Sequence, residues 1–164
     1  DIYVAAESNG YPWNVPVPEV PPLARDSYLV NYLYWRLYTP NLYRDPSTGL
    51  TQWEWLYHAY DNAYIWDIHK AEINRLIDYA DGVGARLITA IFPNMDDPVG
   101  SIPYVDRVAQ AIEAHGHADI LKLFEAAAGW PPETRLASSR DAHPSAAFNH
   151  EVARLLYTQF FQGA

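Results

Sequence analysis

The chain contains no cysteine, which excludes disulfides, thiolate metal sites and a cysteine nucleophile. The compartment stays open, because secreted proteins without disulfides are common. Basic residues are few: 11 Lys and Arg stand against 20 Asp and Glu, for a net charge of −9. They are scattered along the chain, which argues against a nucleic-acid or anionic-membrane partner. No apolar run approaches the ~20 residues that span a bilayer. Glycine-rich phosphate loops are absent, and so is G-x-S-x-G. No cofactor is expected. The first residues hold neither an initiator Met nor a signal peptide. They open on a strand-like apolar run, Ile2-Tyr3-Val4-Ala5-Ala6, and the expectation is a remainder of something longer.

What is present fits a globular domain. At 164 residues a single domain buries roughly 70% of the surface its unfolded chain exposes. The apolar share is 49% and the aromatic share 15%, with 6 Trp and 13 Tyr mostly before residue 80. Such rings fill cores and interfaces, and near a cleft they can stack on sugars.

Residues 2–6, apolar and β-branched at two positions, read as a buried strand. Five prolines between residues 12 and 22 make an extended loop. Asp26 or Ser27 caps a helix running to about Tyr38, with Val30, Leu33, Tyr34 and Leu37 on one face. Residues 50–60 suggest a short helix. Residues 63–80 form the most periodic segment, with Ile65, Trp66, His69, Ile73, Leu76, Ile77 and Ala80 along one face. Gly82 and Gly84 end it. Residues 86–92 are a buried strand stopped by Pro93. Ser101 caps a helix to about His115, with Val105, Val108 and Ile112 inward, and residues 120–124 form a further strand. A loop then leads to Asp141 and a last helix. Strands alternating with helices imply right-handed crossovers and a parallel sheet covered on both faces. Working residues in such sheets sit on loops at the carboxyl ends of strands.

Three loops qualify: Glu7-Ser8-Asn9-Gly10, Pro93-Asn94-Met95-Asp96-Asp97 and the stretch ending at Asp141 and His143, of which the first and last carry candidate chemistry. Asp141-Ala142-His143-Pro144 sets a carboxylate two residues before an imidazole at the mouth of the last helix. Pro144 favours extended geometry at His143 and itself suits a first helical turn. Asp141 can then hold one ring nitrogen and leave the other free, as the base of a serine hydrolase requires. Asn9 follows the first expected strand, where a side-chain amide can donate to an oxyanion. The remaining histidines carry less. His115-x-His117 is the closest pair but lacks a clear third ligand beyond Asp119, so no metal is expected. His69 reads as a hydrogen-bonded core residue, and no motif lifts His58 or His150.

Taken together, Asn9 and the block Asp141-Ala142-His143-Pro144 resemble the SGNH (GDSL-type) hydrolase superfamily, whose blocks hold Ser, Gly, Asn and His in that order. The family's last block is usually Asp-x-x-His-Pro, and this chain is similar to its shorter Asp-x-His-Pro version. The family's Gly-x-Asn-Asp corresponds to Glu7-Ser8-Asn9-Gly10, which keeps only the Asn. The resemblance implies a flavodoxin-like three-layer α/β/α sandwich with a parallel sheet, its N-terminal strands missing here. Residues 1–164 would be the C-terminal part of one domain, with residues 10–60 as a Pro- and aromatic-rich insertion.

It also implies an ester hydrolase acting on an acyl or acetyl ester, possibly on carbohydrate. His143 would be general base and then acid, Asp141 its orienting group and Asn9 an oxyanion donor. No Gly-Asp-Ser block is present, so the nucleophile is expected upstream, and the chain alone is expected to be inactive. A second reading is a catalytically inactive binding or assembly module. A third is a stand-alone enzyme using Ser8. The expected partners are the ester substrate and, through the first strand, either a complementary N-terminal segment or a second copy.

Overall fold

The computed structural model describes residues 2–8, 10, 20–38, 48–139 and 141–162. The chain divides into two compact units, Asp1–His69 and Lys70–Ala164.

The described helices of the first unit are α1 (Ile2–Ser8), α2 (Pro22–Asp26), α3 (Tyr28–Tyr38), α4 (Gln52–Asp61) and the start of α5 (Ala63–Gly82). Residues 2–6 are therefore helix, not strand. Ile2, Ala5 and Ala6 are the buried positions, and their i, i+3, i+4 spacing is that of a helical face. A five-residue apolar run fits either structure by pattern alone. Two alanines and Glu7 in the same stretch favour the helix. With no strand there, the edge through which a partner segment or second copy was expected to pair does not exist.

Local signals account for the other helices of this unit. Pro22 sits in the first turn of α2, where its missing N–H costs nothing. Thr51 and Glu54 form a reciprocal capping box on α4: Thr51 Oγ1 accepts from Glu54 N at 3.3 Å, and Glu54 Oε2 accepts from Thr51 N at 2.7 Å. Asn62 Oδ1 accepts from the N–H groups of Tyr64 and Ile65 at the head of α5. Trp55, Ala59, Ile65 and Trp66 are buried, and α1 packs on α4. Of the four residues expected on one face of α3, Val30 and Tyr34 are half-buried while Leu33 and Leu37 are exposed, as are Tyr28 and Leu29.

The second unit contains the end of α5, β1 (Thr89–Ile91), α6 (Ile102–Ala114), β2 (Ile120–Lys122), α7 (Phe124–Gly129), α8 (Pro132–Arg135), β3 (Leu136–Ser138), β4 (Asp141–Pro144) and α9 (Ala146–Phe160). Strands β1 and β2 pair in parallel, Thr89 with Ile120 and Ile91 with Lys122, across a single β-α-β crossover. Strands β3 and β4 form a separate antiparallel pair.

This overturns the expected three-layer α/β/α sandwich. The described residues are mostly helix, and the parallel sheet has two strands. The first expected strand is α1. The strand expected over residues 120–124 stops at Lys122, because Phe124-Glu125-Ala126-Ala127-Ala128 turns into α7. The stretch read as a loop before Asp141 carries α8 and β3.

The core of this unit joins Met95, Leu121, Leu123, Ala127, Phe148 and Val152, with Ala90, Trp130, Leu136 and Leu155 packed against it. Trp130 meets Phe148 edge-on at 5.5 Å between ring centres, a favourable aromatic geometry. Val105, Ala109 and Ile112 are the buried face of α6. Ser101, expected to cap α6, instead ties the loop before it: its buried hydroxyl accepts from Asn94 N at 3.0 Å and donates to Pro98 O at 2.9 Å. No helix among the described residues is long and apolar enough to cross a membrane.

Candidate functional site

The Asp-x-His pair lies on β4. Leu136 pairs with Pro144 and Ser138 with Asp141, with a register irregularity between them, so His143 is bracketed by two strand pairs. His143 precedes a proline and lies in the extended strand, as its position dictates. Pro144 ends β4 rather than entering the helix. Ser145 is the N-cap of α9, in extended geometry, and its hydroxyl accepts from Phe148 N at 3.0 Å. That hydroxyl also donates to Thr134 O at 2.5 Å, while Ser145 N donates to Arg135 O at 2.8 Å. The helix start and the hairpin stem are thereby joined immediately after the histidine.

Asp141 grips His143 twice with one oxygen. Oδ1 accepts from the His143 backbone N–H at 3.0 Å and lies 2.5 Å from ring Nδ1. These two bonds, the backbone one foremost, hold the Asp141 carboxyl below its ordinary value of 3.8. An ionised carboxylate only accepts, so neutral His143 carries its proton on Nδ1 and presents Nε2 as a free acceptor. Among the described residues Nε2 has no hydrogen-bond partner. The His143 side chain is 87% exposed and that of Asp141 50%. The pair therefore stands in water, where its Coulomb attraction is screened. It can take a proton from a hydroxyl brought to about 2.6–3.2 Å of Nε2.

Asn9 lies outside the described residues. The reason for singling it out is removed, since the segment before it is helix α1 and not a strand end. Ser8 ends α1 in the first unit and is exposed.

The other histidines are placed as follows. His115 Nε2 bonds Asp78 Oδ1 at 2.7 Å, joining the end of α6 to α5. Asp119 pairs with Arg86 Nε at 2.7 Å, and that guanidinium holds its carboxyl below the ordinary value. Nε2 of His117 is buried without a partner. Among the described residues no group of three His, Asp or Glu side chains is arranged to hold a metal ion. His69 is a core residue, 8% exposed, with its ring against Tyr60 and Trp66. Burial lowers its pKa to about 4. Its Nδ1 is without a partner, contrary to the expected hydrogen-bonded state. His58 and His150 are exposed.

One buried charge escaped the sequence reading. Arg135 is 5% exposed at the end of α8, and no periodicity or motif marks it. Its guanidinium donates to three backbone carbonyls, those of Met95, Ala127 and Trp130, each at 2.9 Å.

No family model matches the chain, and no curated protein or solved structure is significantly similar to it.

Proposed function

We propose that Asp141 and His143 are the orienting acid and the general base of a serine-type hydrolase acting on an acyl or acetyl ester. The observation that carries this reading is the bond from Asp141 Oδ1 to His143 Nδ1, which leaves Nε2 as the only ring position able to accept a proton. The reading rests on this pair and on the Asp-x-His-Pro motif that holds it. The SGNH superfamily's three-layer sheet is no part of it.

In the proposed reaction the serine hydroxyl transfers its proton to His143 Nε2 as its oxygen bonds to the ester carbonyl carbon. The imidazolium then returns that proton to the departing alkoxide as the C–O bond breaks, leaving an acyl-serine. Water repeats the sequence and releases the acid. Asp141 remains ionised and stabilises the imidazolium at each step. In this proposal the serine lies outside residues 1–164.

The near-complete exposure of His143 supports a second reading, a binding or assembly module without turnover. A serine-reactive fluorophosphonate separates the two when applied to the entire gene product, with p-nitrophenyl acetate turnover measured in parallel. Labelling and turnover together support the hydrolase. Their joint absence supports the binding module. Residues 1–164 alone should neither label nor turn over, and turnover by them that Ser8→Ala abolishes would assign the nucleophile to Ser8.

A further inference from the structure

We infer that Arg135 is a positioning residue for the Asp141–His143 pair, anchoring the hairpin that carries it to the loop after β1 and to the end of α7. The inference rests on the proposed role of that pair.

Burying a guanidinium costs several kcal/mol unless its donors are satisfied. Arg135 meets that cost with backbone carbonyls and has no carboxylate partner among the described residues. Two of its acceptors, Ala127 O and Trp130 O, lie in and just after the last turn of α7. Ala127 O already accepts from Trp130 N at 3.3 Å, and carbonyls at a helix C-terminus carry partial negative charge that favours a cation. The third, Met95 O, lies in the loop at the carboxyl end of β1. That loop is itself tied down by Ser101 through Asn94 N and Pro98 O. One side chain thus gathers three separate segments at a single point.

The anchored backbone is the stem of the catalytic hairpin. Arg135 O accepts from Ser145 N and the adjacent Thr134 O from Ser145 Oγ, and Leu136 pairs with Pro144. His143 stands inside this frame, one residue before Pro144 and two before Ser145. An apolar side chain would fill the same core volume without a desolvation penalty. It could not bond three carbonyls in fixed directions, and a lysine would offer its donors only from a single point on a flexible four-carbon stem. The consequence is geometric: with the stem fixed, Asp141 Oδ1 stays within reach of both the His143 N–H and Nδ1.

The test is the tautomer of His143, read by ¹⁵N NMR in labelled residues 1–164 at a pH where the ring is neutral, with His143→Ala identifying its signals. The wild type should show Nδ1 protonated and Nε2 bare. Arg135→Lys, with the near-UV signature of Trp130 retained, should mix in the Nε2–H form that free imidazole prefers. It should also speed His143 amide exchange about tenfold, the size of losing one hydrogen bond to a charged group. A general loss of stability would not select a tautomer. A folded Arg135→Lys chain that keeps the wild-type tautomer and exchange rate overturns the inference.

If that variant does not fold, the wild type is titrated with urea below its global transition. The Nδ1–H tautomer must then persist while Arg135 Nε–H is protected and disappear with it. Loss of the tautomer while that N–H stays protected also overturns the inference. A wild-type His143 that is not protonated on Nδ1 removes the proposed role of the pair itself, a different and recognisable failure.

Discussion

His69 should make this protein lose stability on mild acidification, by an amount the structure allows to be worked out. The ring is 8% exposed, packed against Tyr60 and Trp66, and its pKa falls from 6.5 to about 4 through burial. In the unfolded chain the same ring binds a proton near its ordinary value, so the unfolded state holds more protons throughout the window between the two values. Stability must therefore rise with pH across that window and fall as pH drops through it. Between pH 7.5 and pH 5 the linkage amounts to about 2 kcal/mol, and the full window to about 3 kcal/mol. Carboxyls whose values are lowered, such as Asp119, Asp141 and Glu151, titrate below this range and do not imitate the effect. His69→Phe keeps an aromatic ring against Tyr60 and Trp66 and removes the titration. It also removes an unpartnered buried nitrogen, so at pH 7.5 it should be neutral or stabilising by about 1 kcal/mol. Urea unfolding of both proteins at pH 7.5 and pH 5 decides the matter. The gap between them should widen by about 2 kcal/mol at the lower pH. Parallel losses would show that His69 is not buried in its neutral form.

Further outcomes follow from single contacts. Ser145→Ala removes the α9 cap and the bond to Thr134 O, and should cost about 1 kcal/mol, measurable as a lower Tm. Gly100→Ala would place a Cβ 2.0 Å from Asp97 Oδ2. The exposed carboxylate swings away and gives up its bond with Gly100 N, for a loss of about 1 kcal/mol in denaturant unfolding. By carboxyl NMR, Asp141 should titrate below 3.8, so its bonds to His143 are present above that value and lost as pH falls through the lowered one. His143→Ala should raise the midpoint only part of the way, because the backbone N–H, the larger cause, remains.

The helices α5, α6 and α9 were legible because their apolar spacing is local and long. Even so, Leu76, expected inward on α5, is exposed. Residues 2–6 show the limit of such reading, since a short apolar run takes its structure from what covers it. The size of the sheet was not legible either: strand pairing is non-local, and a single pair of strands around α6 looks in sequence like one repeat of a longer series. Only the actual pairing of β1 with β2 shows where the series stops.

The site divides along the same line. The bond between Asp141 and His143 follows from two residues in an extended segment before a proline, so it could be expected from sequence alone. Arg135 could not, because its acceptors at residues 95, 127 and 130 meet only in the folded chain. The burial of His69 was readable from its place on the apolar face of α5. That its Nδ1 finds no partner depends on what the fold brings around it, which no local pattern in the sequence states.

The most direct test of the base assigned to His143 is kinetic. The entire gene product, as wild type, His143→Ala and Asp141→Asn, is assayed for hydrolysis of p-nitrophenyl acetate at neutral pH. Removal of the base should cut kcat by several orders of magnitude, because members of a triad act as a unit. Asp141→Asn should also cut it steeply, about 10³–10⁴-fold, by withdrawing the acceptor that keeps the proton on Nδ1. Turnover that survives His143→Ala within a few-fold would contradict the assignment.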